Sequence, residues 1–248
     1  MKTILITGAS SGIGWATAQA LDHLGHRLIL CGRNTDRLDQ LQNQLQQQHH
    51  QLIFDVGDKE AVFDQIQSLP KAYTPIDVLI NNAGNAHGLD YSQDAQLADW
   101  EAMIDSNLKG LLYVTKAILP QMIAARKGQI INIGSIAGKE AYLKGNVYCA
   151  TKAAVDSFTT GLRMDTNPYG FRVGAIHPGL VETEFSKVRF KGDTQKAEQV
   201  YAHIHALQAE DIAQTIVFMI QAPAHVNLAD ITILPTAQAS AALVHRNT

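Results

Sequence analysis

The sequence predicts an α/β fold in which a parallel sheet is wound on both sides by helices. Three observations lead there: short, almost wholly apolar runs recur along the chain, longer amphipathic stretches separate them, and a glycine-rich turn joins the first run to the first such stretch. A run that is apolar throughout, without alternation, is buried on both faces, as strands of a parallel sheet are.

The elements follow in order. KTILIT is the first strand, and a helix starts at about Gly12; RLILC is the second strand, and a helix covers 35–48. The Gln-rich piece QLQNQLQQQHHQ has the composition of a low-complexity tract, yet Leu38, Leu41 and Leu45 keep an apolar stripe at helical spacing, so it reads as a solvated helix face with a connecting turn. QLIFDV, a helix over 58–69 and IDVLI come next. A long helical region from about Asp99 to Arg126, interrupted near Pro120, leads to QIINIGS. A helix bearing Tyr148, then FRVGAIHP, a helix over 209–221 and ITILP complete seven strands, with no repeat or linker to divide a single domain over residues 1–248. One segment departs from the alternation: Pro178 to Tyr201 is long, mixed in charge and placed after a strand's carboxyl end, where loops carry function.

A hydrophobic fraction of 46%, a charged fraction of 17% and a net charge of −3 describe a globular chain with no basic excess, which argues against nucleic acid as a partner. Cys31 and Cys149, the two cysteines, lie in apolar contexts and read as buried thiols of a reducing compartment. No charged leader with an apolar core opens the chain, and no apolar run reaches membrane-spanning length, so the expected location is cytoplasmic.

TGASSGIG places Gly8, Gly12 and Gly14 where the first strand becomes the first helix. Glycines let the backbone turn sharply and approach a pyrophosphate, while free N–H groups and the positive end of the helix favour an anion. Thr7, Ser10 and Ser11 can add hydroxyl contacts. The spacing has three residues between the first two glycines, where the general dinucleotide fingerprint has one, so the motif alone leaves the cofactor open. The end of the second strand narrows it: NAD sites place a carboxylate there for the ribose hydroxyls, whereas this chain reads CGRN. Arg33 offers a 2′-phosphate bidentate hydrogen bonds, which predicts NADP.

Tyr148 and Lys152 stand four apart and share one helix face. Such a pair is often only a surface contact. An ammonium within ~4–6 Å would favour the phenolate and bring a phenol's pKa down from about 10, making it a proton shuttle for a carbonyl that receives a hydride. Ser135 ends the QIINIGS strand and could polarise the same carbonyl; Asn82, Ala83 and Gly84 of LINNAG suit a backbone packed against a cofactor. Asn107 lies inside a helix, where Asn is mildly unfavourable.

With TGASSGIG, NNAG, the Asn of NLKG, Ser135, YCATK and PGLVET in order over residues 1 to about 185, the chain resembles the short-chain dehydrogenase/reductase family. The resemblance implies a Rossmann-type domain in which Ser135 orients the carbonyl, Tyr148 is the general acid/base, Lys152 lowers its pKa and binds the nicotinamide ribose, and Asn107 holds a proton-relay water. It also implies that Ile13 and Gly32 belong to the cofactor set, that Asp55 and Val56 flank the adenine, and that the segment from Pro178 to Ser186, with Gly179, Val181 and Thr183, covers the nicotinamide. The carboxyl-terminal third is similar to the NADP-dependent 3-hydroxy acid dehydrogenases, which implies a homotetramer and substrates such as serine, allo-threonine, 3-hydroxyisobutyrate or malonic semialdehyde. A carbonyl reductase for unrelated ketones or sugars and a non-catalytic dinucleotide sensor are the alternatives.

Arg189 and Lys187 are possible partners for a substrate carboxylate, but a solvated charge pair accounts for either, so they stay outside the catalytic set. No metal is expected: His203 and His205 would diverge on a helix, and His49, His50 and His87 read as loop residues without partners. His177 precedes Pro178 in a stretch that matches the family whatever residue stands there, and Cys149, whose helix neighbour Tyr148 points away from it, reads as packing.

Overall fold

In the computed structural model, which describes residues 1–246, the apolar runs become strands β1 (Thr3–Thr7), β2 (Arg27–Gly32), β3 (His50–Ile53), β4 (Val78–Asn81), β5 (Gln129–Ile133) and β6 (Arg172–Pro178). Two short strands, β7 (Val181–Glu182) and β8 (Leu207–Gln208), pair with each other, and β9 (Asp230–Ile233) closes the main sheet. That sheet has seven parallel strands in the order β3-β2-β1-β4-β5-β6-β9. Its order reverses between β1 and β4, which opens a crevice at their carboxyl ends.

The helices are α1 (Gly12–His23), α2 (Thr35–Gln42), α3 (Lys59–Gln67), α4 (Leu97–Ile104), α5 (Gly110–Ala125), α6 (Asn146–Thr166), α7 (Phe185–Arg189), α8 (Thr194–Tyr201) and α9 (Ala209–Gln221). Successive strand residues serve opposite faces: Ile4 and Ile6 of β1 pack with Leu21, Leu38 and Ile216 from α1, α2 and α9, while Leu5 packs with Val62, Val114 and Leu162 from α3, α5 and α6. Burial of each such side chain stabilises the fold by roughly 1.5–3 kcal/mol, which is why the central strand β1 is apolar on both faces, while the edge strand β9 turns Asp230 and Thr232 to solvent.

Between the layers runs a buried polar row. Asn81 Nδ2 donates to Thr115 Oγ1 at 3.0 Å and to Asn132 Oδ1 at 2.9 Å, and Asn132 Nδ2 donates to Thr159 Oγ1 at 2.8 Å. The row ties α5, β4, β5 and α6 together.

Three elements differ from the sequence reading. α2 stops at Gln42 rather than 48, because side chains capture the backbone beyond it: Gln42 donates to Gln47 O at 2.8 Å and Asp22 accepts from Gln46 N at 2.7 Å. The break in the long helical region falls not at Pro120, which lies within α5, but at a π-helical turn, Asp105–Lys109. Pro120 and Lys116 are both exposed, so the carbonyl deprived of its N–H partner faces water and the helix continues. The segment from Pro178 to Tyr201 is not a plain loop; it contains β7, α7 and α8.

Candidate active site

A cavity of about 420 Å³ lies along the carboxyl ends of the strands at the reversal point. The glycine loop contributes Gly8, Ser10, Ser11, Gly12 and Ile13 to its wall. Strand ends bring Gly32 and Arg33, Asp55 and Val56, and Asn82, Ala83 and Gly84; Ser135 follows β5. Tyr148 and Lys152 come from α6, and Pro178, Gly179, Val181 and Thr183 from the segment after β6.

Three of the residues singled out in the sequence stand behind this wall rather than in it, each with a mechanical task. The buried Thr7 hydroxyl accepts from Asn82 N at 3.0 Å and Ala83 N at 2.9 Å, stapling β1 to the NNAG turn instead of facing the cavity. Gly14 packs so tightly that a Cβ there would lie 2.2 Å from Gly8 O. Asn107, turned inward by the π-helical turn, accepts from Asn85 N at 2.7 Å and donates to Asn85 O at 2.8 Å and Thr151 Oγ1 at 3.1 Å. Thr151 in turn donates to Tyr148 O at 2.8 Å, so Asn107 fixes the helix that carries Tyr148.

At the glycine-loop end, Ser11 is the N-cap of α1 but its side chain makes no capping bond, and the first turn contains no acid. The helix therefore offers its N–H groups to the cavity. Gly8 and Gly12 have φ of +67° and +50°, a conformation that favours glycine. Asn82 Nδ2 donates to Thr7 O at 2.9 Å and Gly8 O at 3.2 Å and so holds the loop's shape. Arg33, exposed, meets Asp55 at 3.1 Å across the mouth.

At the other end, Lys152 is buried and donates to Ile133 O at 2.9 Å; burial brings its ammonium down to about 8. The Tyr148 phenol is also buried, and burial pushes it up; the Ser135 hydroxyl and the Arg189 guanidinium pull the other way. This departs from the expectation of a phenol lowered by Lys152: the lysine nitrogen is 6.0 Å from the ring centroid, and desolvation of the phenolate outweighs nearby charge. Phe185 of α7 stands against the Tyr148 ring with centroids 5.7 Å apart. Tyr201 holds α7 and β7 down, its hydroxyl donating to Val181 O at 2.9 Å and meeting Ser186 Oγ at 2.7 Å.

The sequence reading missed Tyr142 and undervalued Arg189, which both line the cavity. Tyr142 lies in an irregular stretch before α6, so no periodicity points to it. Arg189 looked like one half of a surface charge pair, yet only Lys187 is fully exposed; Arg189 is half-buried, its guanidinium 5.5 Å from the Tyr148 ring centroid.

The histidines also need correction. His49 is buried and partnered, accepting from Leu28 N at 3.2 Å and meeting Asp22 Oδ1 at 2.8 Å, which places its proton on Nε2. His203 and His205 lie in the turn after α8, not on a helix. His177 is wholly buried with Asp156 and Asp230 about it, and the Lys139 ammonium already donates to both carboxylates. Cys31 and Cys149 are buried and unpaired, and burial pushes the Cys31 thiol up. Among the described residues, no helix is long and apolar enough to cross a membrane.

A family profile described as short chain dehydrogenase matches residues 2–194. The chain is 45% identical over 246 residues to an NADP-dependent 3-hydroxy acid dehydrogenase of Salmonella typhi, covering 98% of this chain and 99% of that one. A protein of the same description from Schizosaccharomyces pombe is 44% identical over 250 residues, 99% of this chain and 96% of its own. Among solved structures, the closed form of serine dehydrogenase complexed with NADP+ superposes with a TM-score of 0.94 at 43% identity, covering 98% of this chain and 99% of that one.

Proposed function

Since the chain belongs to the short-chain dehydrogenase family, we propose that it is an NADP-dependent oxidoreductase that interconverts a small 3-hydroxy acid and its 3-oxo form. The observation that carries the reading is the joining of two half-sites in one cavity: an uncapped helix N-terminus with a glycine loop at one end, and Ser135, Tyr148 and Lys152 at the other.

The residues present fit NADP. The N–H groups of α1 suit the pyrophosphate, and the close packing at Gly14 keeps the loop low enough for it to approach. Arg33 stands where a carboxylate would repel a 2′-phosphate; its bond to Asp55 is exposed and easily exchanged for a phosphate. When bound, the nicotinamide supplies or removes the hydride.

The chain's own groups handle the proton and the orientation. Tyr148, a phenol already neutral in its ordinary range and pushed further up by burial, gives its proton to the carbonyl oxygen as that oxygen gains charge, and its phenolate takes a proton back when the hydroxy acid is oxidised. Ser135 donates a hydrogen bond to the same oxygen. Among the described residues Lys152 donates to Ile133 O alone, which leaves ammonium protons for the nicotinamide ribose. Asn107 positions rather than reacts, through Thr151. The segment led by Pro178, pinned by Tyr201, covers the nicotinamide and keeps water from the transfer. A single domain over residues 1–248 and a cytoplasmic homotetramer belong to the same reading, although residues 247 and 248 lie outside the described residues; light scattering of the purified protein tests the tetramer.

The test is nicotinamide absorbance with NADP+ and a panel of serine, allo-threonine, 3-hydroxyisobutyrate and neutral alcohols, on the wild type and Tyr148→Phe. Turnover of the hydroxy acids is expected, with kcat reduced about 10²- to 10⁴-fold in the variant while NADP+ still binds. Turnover of neutral alcohols alone refutes the substrate class, and full activity of the variant refutes the mechanism.

A further inference from the structure

The cavity wall carries three basic side chains, Arg33, Lys152 and Arg189, and they are not equivalent. Arg33 is paired with Asp55 at the glycine-loop end, and Lys152 is buried against Ile133 O. Arg189 stands beside Tyr148 with no carboxylate within 4.0 Å among the described residues. Asp193, the nearest acid along the chain, caps α8 by accepting from Lys196 N at 3.1 Å, and Glu184, the next, is taken by Arg37 at 2.7 Å.

Arg189 is nonetheless held firmly. Its Nε donates to Gly88 O at 3.3 Å, one terminal nitrogen donates to the Tyr142 hydroxyl, and its backbone carbonyl accepts from Gly88 N at 2.9 Å. The guanidinium carbon lies 5.6 Å from the Tyr142 ring centroid and 5.5 Å from that of Tyr148. Nη1 has no partner among the described residues. A half-buried cation fixed between two aromatic rings, with donors unspent and facing a cavity, is costly to leave alone and suited to a planar anion.

We infer that Arg189, oriented by Tyr142, is the group that receives the substrate carboxylate, so that acid specificity is set on α7 rather than on the sheet. The inference rests on the hydroxy-acid reading above. A molecule a few atoms long can then present its hydroxyl to Tyr148 and Ser135 and its carboxylate to Arg189. A neutral alcohol leaves the guanidinium unpaired, and a site built around such a donor rejects the analogue that lacks the acceptor.

The experiment compares 3-hydroxyisobutyrate with its methyl ester, which keeps the reacting carbon and removes the charge. kcat and KM are measured with NADP+ for the wild type, Arg189→Met, Arg189→Lys and Tyr142→Phe. In the wild type the acid is expected to be preferred; in Arg189→Met the acid-to-ester ratio of kcat/KM falls about 10- to 100-fold, mostly through the KM of the acid. Arg189→Lys, which keeps the charge without the fork, and Tyr142→Phe, which keeps the cation without its tether, fall in between and carry the test should Arg189→Met fail to fold. An acid-to-ester ratio that survives in the variants overturns the role of Arg189 and leaves the proposed function standing. A wild type that turns over only the ester overturns both.

Discussion

Replacing Lys152 with Met should stabilise the protein at neutral pH even as it removes a charge from the cavity wall. Burial brings the Lys152 ammonium down from its ordinary 10.5 to about 8. Below pH 8 the folded and unfolded chains are both charged, and the folded one bears the whole cost of burying that charge. Between pH 8 and 10.5 the folded chain releases its proton first and the cost fades; above 10.5 neither form is charged. At about 1.4 kcal/mol per pH unit, the interval amounts to about 3 kcal/mol. The lost bond to Ile133 O offsets roughly 1 kcal/mol of this, so Lys152→Met should gain about 2 kcal/mol at neutral pH. For a chain of this size that is roughly 4–8 °C in Tm. Thermal unfolding without added dinucleotide, followed by circular dichroism from neutral pH to about pH 10.5, measures it. The variant should melt above the wild type at neutral pH, with the gap closing as pH rises through the window from about 8 to 10.5. A gap that ignores pH, or a variant less stable at neutral pH, would refute the assignment of a buried, strained ammonium.

Two further outcomes are expected. Gly14→Ala puts a Cβ 2.2 Å from Gly8 O and 2.7 Å from Asn82 Nδ2, so α1 must move away from the loop. Overpacking of that kind costs about 1–3 kcal/mol, and a fluorescence titration with NADPH should show weakened binding; unaltered affinity would mean that the loop's height is irrelevant. Arg33→Asp removes the cation at the end of β2 and should shift the ratio of NADP to NAD affinity by about 10- to 100-fold toward NAD, read from KM values for both; an unchanged ratio would place the 2′-phosphate elsewhere.

The sheet was readable from the chain because its inner strands are largely apolar on both faces, as Ile4, Leu5 and Ile6 illustrate, and because TGASSGIG marks the first crossover. Helix limits were harder, since they turn on side chains distant in sequence: Asp22 and Gln42 end α2, and exposure of Lys116 lets α5 pass through Pro120. The spacing of Tyr148 and Lys152 is local and could be seen. What burial does to their protons is not local, and there the expectation reversed for the phenol. Thr7, Gly14 and Asn107 show a second limit: a motif marks a residue as needed without saying whether it lines the wall or braces it. Arg189 and Tyr142 were obscured because they meet only through the folding of two irregular segments.

The buried amide row between β4 and β5 acts as an alignment key. Asn81 is paired in register with Asn132; a slip one way would set Asn81 opposite Ile131, and a slip the other way would set Asn132 opposite Ile80, breaking the bond between the two amides. Each stranded amide would cost about 1–3 kcal/mol, so the neighbouring registers are closed. The NNAG turn and the turn bearing Ser135 therefore leave the sheet at matched heights, and the two ends of the cavity are indexed to each other before any ligand arrives.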